Sequence, residues 1–104
     1  MDLKTLETAM HEFVASKGWY RDDSIHPQTP KNLAVSLVVE ATEVLEHFQW
    51  SEETPDKDAL AGELADVMLY LLQLASLSEI DLGQAVMEKL KANYGRTWEN
   101  DHSP

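Results

Sequence analysis

Apolar residues recur along most of the chain at steps of three and four, the spacing of one helical face. Over about residues 3–17 they fall at Leu3, Leu6, Met10, Phe13 and Val14, and Gly18 ends the run. Residues 18–30 are rich in polar and turn-forming types and read as a loop. Thr29-Pro30 then opens a second helix, with threonine as cap and proline in the first helical position. It is predicted to reach about Trp50. After "SEETPDKD", Thr54-Pro55 repeats the start signal, and Asp56 and Asp58 suit the dipole of the first turn. The third helix is predicted to run to about Ser78. Asp81 caps a fourth, with Gln84 placed for a variant capping box, and Gly95 closes it. The tail "RTWENDHSP" reads as frayed. No strand pattern or repeat interrupts this series. The expectation is an all-α, antiparallel four-helix bundle in one domain over residues 1–104.

The third helix is apolar around well over half of its circumference: Leu60, Leu64, Val67, Met68, Leu69, Leu71, Leu72, Leu74 and Leu77. A helix on the rim of a small globule needs an apolar stripe about 100° wide. Enclosure on several sides, partly by another subunit, is therefore expected. The stretch over residues 59–77 is interrupted by Glu63, Asp66 and Gln73, which argues against a membrane span.

Those interruptions share one narrow strip: Glu63, Asp66, Tyr70 and Gln73. The second helix carries a matching strip of Ser36, Glu40, Glu43, His47 and Trp50. Either strip alone could be an ordinary solvated face. Such faces usually mix bases with acids for i,i+4 pairing. Here residues 32–56 and 58–88 contain neither lysine nor arginine. If the strips face one another, four carboxylates converge without a basic partner. Two carboxylates about 6 Å apart repel by roughly 3 kcal/mol at an effective dielectric of 20. A divalent cation relieves that at neutral pH, and all-oxygen ligation suits magnesium, manganese or calcium. A di-iron bundle would want a Glu-x-x-His pair on each of two helices, and the four helical segments carry none. An EF-hand would want its Asp/Asn-rich glycine loop, also missing.

Net charge refines this reading. Nineteen acids against eight bases give −11. Such a surface repels nucleic-acid polymers, though it attracts cations. The absence of cysteine excludes disulfides and thiolate metal sites and fits a cytoplasmic protein. No basic start followed by an apolar run marks a signal peptide.

The segments "NLAVSLVVEATEVLEHFQW", "GELADVMLYLL" and "DLGQAVMEKLKANYGR" resemble the MazG-like all-α nucleoside triphosphate pyrophosphohydrolases. The likeness spans roughly residues 10–96 and is nearest to the small single-domain branch that includes dCTP pyrophosphatases. It implies magnesium-dependent hydrolysis of a nucleoside triphosphate to monophosphate and pyrophosphate, with manganese as a substitute metal. It implies Glu40, Glu43, Glu63 and Asp66 as metal ligands. The wider family often begins its first motif with two glutamates, where this chain has Val39-Glu40. Metal ions would bridge carboxylates to phosphates. One carboxylate would take the proton of the attacking water. Glu43 is the preferred candidate and Glu40 the next. Trp19 and Trp50 resemble aromatic residues that border the base pocket, and His11 lies near a pocket histidine. Asn32 matches a position near the base, and Lys89 and Asn93 match residues at the phosphate and sugar end. Tyr70, continuing the acidic strip, is placed to hydrogen-bond substrate. His47 matches no motif of the family and reads as structural. A homodimer or a homotetramer of two dimers is expected, with no membrane partner. The competing reading is a non-catalytic acidic bundle serving as an interaction or nucleotide-sensing module.

Overall fold

The computed structural model describes residues 1–53 and 56–96. It contains α1 (Leu3–Ser16), α2 (Pro30–Glu46), α3 (Lys57–Leu77) and α4 (Leu82–Tyr94), and no strand among the described residues. One device starts all four. A side-chain oxygen accepts the backbone N–H three residues on: Asp2 from Thr5 at 2.9 Å, Thr29 from Asn32 at 3.1 Å, Asp56 from Ala59 and Asp81 from Gln84, both at 3.0 Å. Each such cap is worth about 1 kcal/mol.

Two boundaries and one cap differ from the sequence reading. α2 stops at Glu46 with His47 as its C-cap, so Trp50 lies beyond the helix rather than on its acidic strip. α3 is capped by Asp56, which was expected inside the first turn. The Thr54-Pro55 signal lies outside the described residues, as does nearly all of the tail predicted to fray. At α4 only half of the capping box forms. The Gln84 side chain donates to Glu88 Oε1 at 3.1 Å instead of reaching back to its cap.

Two helix ends share a geometry. After α1, Trp19 N–H reaches Val14 O and Gly18 N–H reaches Ala15 O, with Gly18 at φ +75°. After α3, Ile80 N–H reaches Ala75 O and Glu79 N–H reaches Ser76 O, with Glu79 at φ +58°. Both are Schellman motifs, which want glycine at the left-handed position. Glu79 carries a Cβ there, at a steric cost of about 1 kcal/mol or more. Glycine would return part of that gain through a freer unfolded chain. Glu79→Gly should therefore raise stability by up to about 1 kcal/mol, some 4–8 °C in melting temperature. A calorimetric scan showing a fall would refute this account of the turn.

α3 is the organising helix, packed along α2, against α1, and more sparsely against α4. Its length and composition would suffice to cross a bilayer, yet here it lies among other helices and carries Glu63 and Asp66. Met10, Val14 and Leu72 form the buried core, with Leu3, Leu6, Trp19, Met68 and Leu82 around them. Leu33 is buried on α2 and Ala75 on α3. That core is small. The Cα radius of gyration is 16.5 Å, where a compact chain of about 100 residues has about 13 Å. α4 has no buried residue. Val35, Val38, Val39 and Leu45 of α2 are at least half exposed, as are Leu64 of α3 and Met87 of α4.

Candidate metal and substrate site

The α2–α3 packing decides between a solvated and a convergent arrangement of the acids. Carboxylate oxygens of Glu40, Glu43 and Glu63 all lie within 4.8 Å of one another. The i,i+3 spacing on α2 stacks Glu40 and Glu43 on one face, and α3 brings Glu63 opposite. None of the three is fully exposed. Glu40 Oε2 is buried with no hydrogen-bond partner. A carboxylate accepts and cannot donate, so another ionised carboxylate leaves that oxygen unsatisfied. A cation or a shared proton would complete the arrangement and relieve the repulsion among the three charges.

The electrostatics agree. Glu40 is raised above the usual carboxylate range by burial first, then by hydrogen bonding to Glu43 and the charges of Glu43, Asp66 and Glu63. Glu63 is raised by hydrogen bonding to Glu43 first, then by burial and the charge of Glu43, and His47 opposes the shift. Glu43 thus acts on both others, and all three lie in mutual reach. Asp66 stands apart. It is exposed and outside the tight group, yet near enough for its charge to act on Glu40 and Glu63. Three of the four expected ligands therefore converge closely, and the fourth flanks them.

Asp66 also opens onto a cavity of about 810 Å³ between α1, the 18–30 loop, α2 and α3. Trp19, Asn32 and Tyr70 line it, as the sequence reading anticipated for a substrate pocket. Trp19 meets the rings of Phe13 and His26 edge-on, at 5.8 and 5.9 Å between centroids. Asn32 is held by its own side chain, which donates to Pro27 O at 3.0 Å. Most of the remaining wall is apolar, as in many small-molecule pockets.

The other expected residues are placed differently. Trp50 is 89% exposed and borders a separate, smaller cavity with Glu43, His47 and Glu63. The two tryptophans therefore do not flank one pocket in a single protomer, because the end of α2 carries Trp50 past the acids. His11 is half-buried and absent from the wall of the large cavity. Its ring nitrogens bond Tyr20 OH at 2.6 Å and Ser76 Oγ at 2.7 Å. Lys89 and Asn93, on α4, line neither cavity, and Asn93 Oδ1 is buried without a hydrogen-bond partner. His47, read as structural, sits with Nε2 4.0 Å from Glu63 Oε1, where its protonated form would be a cationic neighbour of the cluster. Its place on the acidic strip of α2 was the available signal.

Sequence and structure comparisons bear on this arrangement. The model of the MazG-like family matches residues 35–103. The chain is 39% identical over 94 residues to mouse dCTP pyrophosphatase 1, and 36% identical over 94 residues to the human protein of that name. Each alignment covers 82% of this chain and 52% of the relative, so the chain spans about half the length of these curated relatives. Among solved structures, a pyrophosphatase from Archaeoglobus fulgidus is similar at a TM-score of 0.75 and 36% identity, over 88% of this chain and 87% of the other.

Proposed function

For this chain, which belongs to the MazG-like family, we propose magnesium-dependent hydrolysis of a nucleoside triphosphate to monophosphate and pyrophosphate, with a dCTP-like deoxynucleotide favoured. The observation that carries the proposal is the convergence of Glu40, Glu43 and Glu63 around a buried, unpartnered Glu40 Oε2. The names of the relatives support the reaction and the choice of base.

The residues fit a hard divalent cation: three carboxylates in mutual reach, oxygen donors only, and Asp66 beside them. Magnesium, or manganese in its place, would supply charge neutralisation and a fixed orientation for the phosphates. Glu40, Glu43 and Glu63, with Asp66 beside them, would hold it. Glu43, in reach of two other carboxylates, is the residue assigned to take the proton of the attacking water, with Glu40 as the alternative. The base enters the large cavity beside Trp19, Asn32 and Tyr70, where stacking on an aromatic face is worth about 1–3 kcal/mol. Trp50 borders the acids from the other side. Lys89 and Asn93 act on the phosphate and sugar end from a second copy of the chain. The exposed apolar faces of α2 and α4 support such an assembly, a homodimer or a tetramer of two dimers. The proposed role is control of the cytoplasmic nucleotide pool.

A panel of triphosphates with magnesium, with products identified, tests the reaction. Pyrophosphate with the matching monophosphate is expected. Orthophosphate alone, or binding without release, would overturn it.

The raised carboxylates give a second test. A group whose folded pKa lies above its unfolded value favours the folded state at low pH, and that advantage is lost as pH rises through the folded pKa. Metal-free protein should lose stability as Glu40 and Glu63 ionise above the normal carboxylate range, and magnesium should restore it by linkage. Glu63→Gln should melt higher than the parent without metal at pH 8, match it at pH 4, and respond weakly to magnesium. Equal magnesium responses in the two proteins would remove Glu63 from the site.

A further inference from the structure

The one buried polar side chain among the described residues, Gln73 at 3% exposure, lies on the wall of the large cavity. It belongs to a chain of five side chains running through three parts of the fold. Gln28 Nε2 donates to the backbone carbonyl of His26 at 2.7 Å. Gln73 Nε2 donates to Gln28 Oε1 at 2.8 Å and to Tyr20 OH at 3.3 Å. Tyr20 OH meets His11 Nδ1, and His11 Nε2 meets Ser76 Oγ.

The direction of these bonds follows from one group. A backbone carbonyl only accepts, so Gln28 must present its NH₂ to His26 O. Its Oε1 then faces Gln73, which must answer with its own NH₂. Both amide hydrogens of Gln73 are thereby committed, and Tyr20 OH must accept one of them. Tyr20 OH keeps one hydrogen to donate and has both His11 Nδ1, at 2.6 Å, and Met10 Sδ, at 4.0 Å, beside it, with the His11 tautomer setting the direction of the first bond. An amide is nearly symmetric in shape and could sit either way round. Here the flipped Gln73 would set oxygen against oxygen at Gln28.

Gln73 Oε1 is left over. None of its bonds to protein uses that oxygen, and it is not sealed away as a buried orphan. The relay therefore fixes an acceptor on a residue that lines a mostly apolar cavity, one that opens beside the acids. A ligand that displaces water from this wall must supply a donor or leave the oxygen unpaired. Sites of this kind reject analogues lacking the donor far more strongly than apolar pockets reject size changes.

We propose that Gln73 is a specificity-determining residue, its Oε1 accepting an N–H from the substrate's base, the 4-amino group in the case of cytosine. Gln28, Tyr20 and His11 are positioning residues that hold the amide the right way round. This rests on the nucleotide reading above, and the test separates the two.

The probes are dCTP and its 2-pyrimidinone analogue, which differ only by the 4-amino group. Both kcat/KM for pyrophosphate release and Kd by titration calorimetry with calcium are measured. The parent should favour dCTP at least tenfold in each. Gln73→Leu should bring the ratio near one by weakening dCTP while sparing the analogue. Gln73→Met serves if the leucine variant does not fold. Gln28→Leu, which unlocks the amide, should shrink the ratio partway. No preference in the parent, or an unchanged ratio in the Gln73 variant, overturns the proposal. Discrimination in Kd without any pyrophosphate release would sustain it while overturning the hydrolase reading.

Discussion

Glu43→Gln is expected to lower turnover by about 10³-fold or more, while the protein stays folded and, without metal, melts above the parent at neutral pH. The two effects have one source. Glu43 raises both Glu40 and Glu63, whose carboxylate oxygens lie within 4.8 Å of its own. Its loss removes the proton acceptor, worth roughly 10²–10⁴ in rate for general-base catalysis, and weakens the hold on the cation. The same change replaces a repelling oxygen with an amide that can donate to Glu40 Oε2, the oxygen that now has no partner. Steady-state pyrophosphate release and a metal-free melting curve measure the pair. Retained turnover would place the base elsewhere. Lost turnover with a lower metal-free melting point would show that Glu43 holds the fold together rather than straining it.

Val38→Glu should produce the second large effect. Val38 is 65% exposed and shares the face of α2 away from the acids with the equally exposed Leu45. The variant should run at the monomer mass of 11.8 kDa in light scattering, where the parent is expected to run as a dimer or larger. Burying an unpaired carboxylate in an apolar interface is prohibitive, so assembly fails and its linkage stabilisation goes with it. A fall of about 10 °C or more in melting temperature should follow. Turnover should fall as well if Lys89 and Asn93 act across copies. Thr8→Glu, the same charge on an exposed α1 position, is the control. A parent that is itself monomeric at micromolar concentration would end the assembly argument.

Local signals in this sequence were legible because local chemistry decides them. Thr29, Asp81 and Gly18 cap or stop helices through bonds spanning a few residues, and each does so as expected. The convergence of Glu40, Glu43 and Glu63 was legible for a different reason: two acidic strips without bases, on helices otherwise so apolar, leave few other arrangements. What depends on distant partners was hidden. The relay joins residues 45, 53 and 65 positions apart. From sequence, Gln73 was one more member of a strip, and His11 a candidate pocket residue rather than a neighbour of Tyr20 and Ser76. Trp50 was misplaced because helical projection assumes that the helix continues, and α2 had already ended. Asp56 displaced the expected threonine cap of α3 because both residue types suit the role, and pattern alone does not rank them.

The absence of any buried residue in α4 bears on how the molecule reaches its native state. A helix of 13 residues is marginal alone in water, so its amide protons should exchange readily in dilute solution. They should slow as concentration rises and neighbouring copies dock, while those of α3 hardly respond. Assembly and the final step of folding would then be one event, and the last element to become ordered is the one bearing Lys89 and Asn93.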